Sequence, residues 1–151
     1  TPKPSSAASD VYKRQVNFLP FLPKNSQVND FLNSIDIDLG GMSGAEGWNL
    51  PSFNATCLGK WSIVLNCSAH KDWANDKNCI LIDPSGKEPV YDNIFFKEGA
   101  EFNQGNIYTF DEEEFIESMK LAESKCKNIN IEGKKLKEKF TYENTLNTIL
   151  S

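Results

Sequence analysis

The chain has 151 residues, of which 39% are apolar and 25% charged, and its net charge is −5. That length suits one domain with a buried core, and the acidic balance excludes the basic face that a nucleic-acid partner requires. Nor does any apolar run reach the roughly 20 residues that a membrane-spanning helix needs.

In chain order, residues 5–15 read Ser-Ser-Ala-Ala-Ser-Asp-Val-Tyr-Lys-Arg-Gln. Asp10 to Gln15 looks like a translated sequencing-library adaptor, so residues 1–15 are set aside as a non-native tail. The protein proper is read as one domain over residues 16–151, the C-terminal piece of something longer. Residues 16–22, Val-Asn-Phe-Leu-Pro-Phe-Leu, predict a short buried strand ended by Pro23. Asn25 or Ser26 caps a helix in which Val28, Phe31, Leu32 and Ile35 share a face. Ile35-Asp36-Ile37-Asp38-Leu39 then alternates as a strand does, and Gly40, Gly41 and Gly44 break it into a loop.

Pro51 opens the next helix, with Phe53 and Cys57 on one face and Gly59 as its stop. Residues 61–65 predict a strand, Ser68 caps a short helix through Trp73, and residues 79–82 predict another strand, ended by the turn Asp83-Pro84-Ser85-Gly86. Ile94-Phe95-Phe96 and Ile107-Tyr108 form a hairpin around a glycine- and Asn-containing middle. Asp111 caps an amphipathic helix with Glu112, Glu113 and Glu114 in its first turn and Phe115, Met119, Ala122 and Cys126 as its stripe. The basic stretch 134–139 reads as solvated surface, with a membrane-facing role as the lesser alternative. Tyr142, Thr145, Leu146, Ile149 and Leu150 mark a final amphipathic helix.

Strands alternating with helices from 16 to 83 predict an α/β fold, a Rossmann-like parallel sheet with flanking helices. Cys57, Cys67, Cys79 and Cys126 lack CxxC spacing and read as free thiols in a reducing cytoplasm, not as a metal or redox site. The sequons at Asn54 and Asn66 lie in segments read as packed and are not read as glycosylated.

Ligands of parallel sheets sit at the carboxyl ends of strands, and the Gly40–Gly47 loop leaves one such end. The segment Ser43-Gly44-Ala45-Glu46-Gly47-Trp48-Asn49-Leu50-Pro51 sets a lone carboxylate before a proline-started helix, whose first turn offers unpaired N–H groups and a positive dipole end. Amides for phosphates and an acceptor for hydroxyls are what a sugar diphosphate needs.

These pieces, over roughly 70 residues, resemble the C-terminal donor-binding domain of group 1 glycosyltransferases of the two-Rossmann GT-B fold. Phe18-Leu19-Pro20-Phe21 is similar to the strand before the donor site, and Phe31-Leu32-Asn33-Ser34-Ile35-Asp36 to the helix ending in a small residue, then apolar-Asp. Glu46-Gly47-Trp48-Asn49-Leu50-Pro51 resembles the family's Glu-Gly-aromatic-Gly-Leu-Pro loop. Ala55-Thr56-Cys57-Leu58-Gly59-Lys60 resembles its Ala-x-x-x-Gly-Lys/Arg helix end, and the strand 61–65 followed by Asn66-Cys67-Ser68-Ala69-His70 its Val-Val-x-Thr-x-x-x-Gly segment.

The resemblance implies transfer of a hexose-type sugar from a nucleotide diphosphate to an acceptor, without a metal or other cofactor. It makes Glu46 the candidate catalytic carboxylate on the sugar hydroxyls, places Gly44, Gly47, Trp48, Asn49 and Leu50 around sugar and phosphate, and assigns Asn54, Phe21 and Leu22 to ribose and base. The alternative for Glu46 is a helix cap, for Trp48 an aromatic wedge, and for Phe21 or Leu22 core packing. His70, the only histidine, reads as a residue that holds a loop, with catalysis as the minor alternative. Two positions depart from the family: Asn54 stands where a ribose-binding Glu is usual, and Asn49 where glycine is common. The family's N-terminal Rossmann domain, which binds acceptor, and its phosphate-binding Arg and Lys are implied partners outside this chain, so the chain alone is expected to be catalytically silent. Two further readings stand beside this one: a binding module for nucleotide or glycan without turnover, and a GT-B relative that epimerises the sugar nucleotide.

Overall fold

The computed structural model describes residues 17–151, so the reading of residues 1–15 as a non-native tail lies outside the described residues. The described residues divide into two compact units, one ending at Asp30 and the other spanning Phe31–Ser151. In the first, residues 17–22 form no strand, contrary to the strand read over residues 16–22, of which Val16 lies outside the described residues. Phe18 and Phe21 are exposed there, and Pro20 and Pro23 leave two positions without the N–H that a ladder needs.

Helix α1 (Asn25–Ser34) begins in the first unit and ends in the second. Strand β1 (Ile37–Gly41) follows two residues later than its alternation suggests, because the helix runs on to Ser34. Helix α2 (Leu50–Cys57), strand β2 (Trp61–Leu65), a 3-10 helix (Ser68–Asp72) and strand β3 (Ile80–Ile82) complete the α/β core. Gly59 stops α2 at φ 88°, a conformation that costs glycine little. Ser68 does not cap the 3-10 helix: Cys67 occupies the cap, and Ser68 itself adopts φ 48°.

The three strands form one parallel sheet in the order β1-β2-β3. The β1–β2 register is regular at Ile37↔Trp61 and Asp38↔Ser62 and slips before Gly41↔Val64. Gly41 is needed at that slip, since any side chain there would collide with the Ile63 carbonyl. The period of two along β2 sends Ile63 and Leu65 to one face and Val64 to the other. Helix α3 (Glu112–Lys125) covers the first face through Phe115, Met119 and Ala122. Helices α2 and α4 (Ile131–Lys139) cover the second, where Trp73, Cys79 and Leu136 pack around Val64. The stretch 134–139 is therefore not solvated surface alone: its helix buries Gly133 and Leu136.

Strands β4 (Gly86–Pro89) and β5 (Asn106–Thr109) pair antiparallel. This corrects the expected hairpin, since the partner of Ile107-Tyr108 is Lys87-Glu88 and not residues 94–96. Residues 94–96 are held in the connecting loop, because the Asp92 carboxylate accepts the N–H groups of Ile94, Phe95 and Phe96 at 2.7, 2.8 and 2.9 Å. Those bonds also hold its carboxyl below the usual range. Helix α3 starts at its Asp111 cap as expected, and α5 (Tyr142–Leu150) starts at Thr141 and buries no residue. No helix among the described residues is long and apolar enough to cross a membrane.

Asn130 fastens the second helical layer to the sheet. Its amide nitrogen donates to the carbonyls of Lys60 (2.9 Å) and Asn78 (2.7 Å), and its oxygen accepts the Gly133 N–H at 2.8 Å, capping α4. Asn130→Ala strands the buried Asn78 carbonyl and the half-buried Lys60 carbonyl and removes that cap, so urea unfolding should show a loss of about 2–4 kcal/mol.

Candidate functional site

The loop between β1 and α2 is shaped by one residue with an unusual backbone. Asn49 sits at φ 60°, ψ 63°, in the left-handed region, where asparagine is among the few residues at ease. Its carbonyl accepts the Phe53 N–H (3.0 Å) and its side-chain oxygen accepts the Ser52 N–H (3.3 Å), so it is the cap of α2. Its side-chain nitrogen donates to the Gly40 carbonyl (2.8 Å) and lies 3.2 Å from Nε2 of His70. His70 is fully buried, with Nδ1 2.8 Å from the Leu65 carbonyl oxygen. Asn49 thus binds the ends of β1 and β2 to the first turn of α2, and His70 holds a loop, as the sequence suggests.

Trp48 is fixed from below. Its ring meets Phe53 and Phe140 edge-on at 5.6 and 5.3 Å, and its carbonyl accepts the indole N–H of Trp73 at 3.0 Å. This is the place of an aromatic wedge. Gly44 lies against β5: its carbonyl accepts the Tyr108 N–H at 3.2 Å, and a side chain at that position would collide with the Tyr108 backbone. Gly47, in contrast, has open space where a side chain would stand. Glu46 is half-buried and bonds to no other described residue.

The first turn of α2 carries fewer available amides than its sequence suggests. Pro51 has none, and those of Ser52 and Phe53 are taken by Asn49. Leu50, 61% exposed, keeps an N–H with no acceptor among the described residues. Glu46, Gly47 and Leu50 therefore keep groups open to a ligand. Asn54 is exposed further along α2, and its backbone carbonyl accepts the Leu58 N–H. Phe21 and Leu22 belong to the first unit, where Phe21 is exposed and Leu22 half-buried.

Beneath α2 lies a buried polar seam that sequence reasoning missed. Thr56 Oγ1 donates to the Ser52 carbonyl at 2.8 Å and lies 2.9 Å from Ser62 Oγ. Asp38 is only 8% exposed. One of its oxygens accepts the Gly40 N–H at 3.1 Å, and the other has no partner among the described residues. The alternation Ile-Asp-Ile-Asp-Leu would turn both aspartates to solvent; in β1 it is Leu39 that is exposed and Asp38 that faces α2. Among the described residues no group of three or more His, Cys, Asp or Glu is placed to hold a metal ion.

The four cysteines are free thiols. Burial pushes Cys79 up to about 12, with the neighbouring Thr56 hydroxyl opposing and Asp38 and Cys57 adding to the rise. Burial likewise pushes Cys57 up to about 11, against the pull of Lys137. Neither supplies a thiolate nucleophile at neutral pH.

Compared with known proteins, the chain matches no family model and no curated sequence.

The folded state favours the neutral form of both raised thiols. The stability this contributes is whole below the ordinary value of 9.0 and is lost as pH climbs through about 11 and about 12. Denaturation followed from neutral to alkaline pH should therefore show a falling stability that is flatter in Cys79→Ala, and a thiol reagent at about pH 8 should leave Cys57 and Cys79 unmodified in the folded protein.

Proposed function

We propose that the β1–α2 loop is part of a donor site for a nucleotide-diphosphate sugar, in a glycosyltransferase of the GT-B type. The observation that carries this is the pairing of Glu46, an unengaged carboxylate, with the unengaged Leu50 amide on one turn at the carboxyl end of a parallel strand. In this reading Glu46 accepts hydrogen bonds from hydroxyls of the transferred sugar. The Leu50 N–H, at the positive end of α2, faces the diphosphate, and the open space at Gly47 lets the phosphates approach the backbone. Trp48 and Asn49 shape the turn from beneath, and the exposed Asn54 side chain is offered to the ribose.

The chemistry is hexosyl transfer. The bond between the anomeric carbon and the diphosphate oxygen breaks, and a bond to an acceptor oxygen forms as that oxygen gives up its proton to the departing diphosphate. Negative charge grows on the departing diphosphate, and a preorganised amide and helix dipole stabilise it without having to reorient. Acceptor binding and further phosphate ligands come, in this reading, from groups outside the described residues. A second reading, recognition of the nucleotide sugar without turnover, is favoured by one fact: the Ser52 amide, a natural phosphate donor, is already bonded to Asn49.

Ligand-observed NMR against a panel of nucleotide sugars should detect binding, and Glu46→Ala should weaken it by about 10- to 100-fold, the scale of a lost hydrogen bond to a charged group. Equal binding by the wild type and the variant would remove Glu46 from the site.

A further inference from the structure

We propose that the cavity between the 3-10 helix and α4 is a binding site for a small phosphate dianion, free or carried as a monoester. None of its lining residues belongs to the β1–α2 loop, and it does not rest on the donor-site reading. The cavity holds about 440 Å³. Lys71, Lys77, Lys135 and Lys139 line it, against two carboxylates, Asp72 and Glu132. A chain of net charge −5 thus gathers four cations around one concavity.

Hydrogen bonds hold both walls. One wall is the turn that leads into β3. The Asn75 side-chain oxygen accepts the Lys77 N–H at 3.0 Å, and Asn78 Oδ1 accepts the Asn75 N–H at 2.8 Å. The Asn78 side-chain nitrogen donates to the Trp73 carbonyl at 2.8 Å, so Lys77 leaves from a fixed backbone. The other wall is α4, where buried Leu136 packs in one cluster with Val64 and Trp73. The helical period then sets Glu132, Lys135 and Lys139 on the same side of α4 as Leu136. Asn130, the cap of α4, donates to the Asn78 carbonyl at 2.7 Å, and that buried bond fixes the spacing of the two walls. Trp73 and Leu136, both buried, close the floor.

The protein answers only part of this charge itself. Glu132 takes Lys135 at 2.5 Å, and Lys139 lies over the Phe140 ring, 5.0 Å from its centre. Lys71 and Lys77 are exposed and pair with no carboxylate among the described residues. Lys135 and Lys139 stand one turn apart on α4, a like-charge pair that weakens a helix unless an anion lies between them. Positive charge on the walls exceeds negative by two, close to the charge of a phosphate monoester at neutral pH. Ammonium groups bind phosphate oxygens as point charges, and their flexible stems can turn several of them onto one phosphate. These lysines come from three segments and converge on one concavity. A long polyanion would need them in a row along the surface; a single phosphate group needs them as they are.

The test is an amide-resolved NMR titration of the full chain with sodium phosphate and, separately, with glucose 6-phosphate, at an ionic strength held constant with sodium chloride. At least one probe should shift the backbone amides of residues 71–78 and 132–139 saturably and leave those of residues 44–50 in place. The double variant Lys71→Gln, Lys139→Gln should weaken binding about tenfold, the combined scale of two exposed charge pairs. The double variant Lys87→Gln, Lys120→Gln removes the same charge outside the cavity and should change binding by less than about twofold. All four lysines are exposed, so both variants keep the fold. Glu46→Ala should bind either probe as the wild type does, so the failure of this site and the failure of the donor site are told apart. Binding of glucose 6-phosphate alone supports the proposal and makes an ester the source; equal binding of both probes supports it and makes phosphate itself sufficient. Equal weakening by the two lysine pairs, shifts confined to residues 44–50, or no saturable shift with either probe would overturn it. So would cavity shifts from an oligoglutamate peptide and from neither phosphate, which would assign the cavity to an acidic protein segment.

Discussion

A single side-chain amide, that of Asn49, decides the shape of the most exposed chemistry in this fold. Three elements meet at the carboxyl edge of the sheet: the end of β1 at Gly40, the end of β2 at Leu65 and the first turn of α2. Asn49 bonds to the first directly, to the second through His70 and to the third as its cap. A glycine would adopt the same left-handed turn without strain, yet it would make none of these bonds. The β1–β2 register is irregular just before this edge, so the strands alone do not fix where the chain leaves the sheet. The amide supplies that constraint. Two of its partners, His70 and Ser52, are fully buried, where an unmade hydrogen bond costs about 1–3 kcal/mol, so the alternatives are closed off more firmly than the bonds themselves would suggest.

The two faces of the sheet are held by different physics. The α3 face is apolar, with Ile63, Leu65 and Ile82 against Ala122, and burial without direction is enough to keep it. The α2–α4 face mixes Val64 and Leu136 with buried hydroxyls and amides: Ser52, Thr56 and Ser62 under α2, and Asn78 and Asn130 where α4 starts. Hydrogen bonds there are directional, so they set the position of α2 along the sheet and not merely its presence. Since α2 carries the Leu50 amide at its tip, the polar face is the one that aims the candidate site.

Much of this was legible in the sequence because the signals were local. Val64, Leu65 and their neighbours make β2 a strand wherever they fall; Pro51 and Gly59 bracket α2; Asp111 with three following glutamates opens α3. The loop and its position at a strand end were legible for the same reason, and so was His70 as a loop holder. The failures came from side-chain hydrogen bonds and from packing, neither of which composition shows. Alternation does not say that Asp38 is buried, because the helix beside it comes later in the chain. Residues 94–96 look like a strand on composition, and Asp92 takes their N–H groups before any partner strand can. The helix at 131–139 has little apolar periodicity, since its anchorage is Asn130, whose partners Lys60 and Asn78 lie far away in sequence. The occupancy of the Ser52 amide by Asn49 is likewise a property of the turn, invisible in a motif that reads only residue types.

That occupancy shifts where binding free energy would arise in the proposed donor site. A phosphate at a helix start ordinarily gains from several first-turn amides, and hydrogen bonds to charged groups contribute about 1.5–3 kcal/mol each. Here Pro51 removes one, Asn49 takes those of Ser52 and Phe53, and the Leu50 amide remains. At the ribose end, Asn54 offers a neutral amide where a carboxylate would accept a stronger, charge-assisted bond. Both departures weaken the nucleotide end of the site and leave Glu46, the one unengaged charge on the loop, at the sugar end. In that proposal, a site so balanced would select its ligand by the sugar it carries more than by the nucleotide. It also holds that ligand only as long as the turn bearing Glu46 and Leu50 keeps its shape, which returns control of the site to the buried contact between Asn49 and His70.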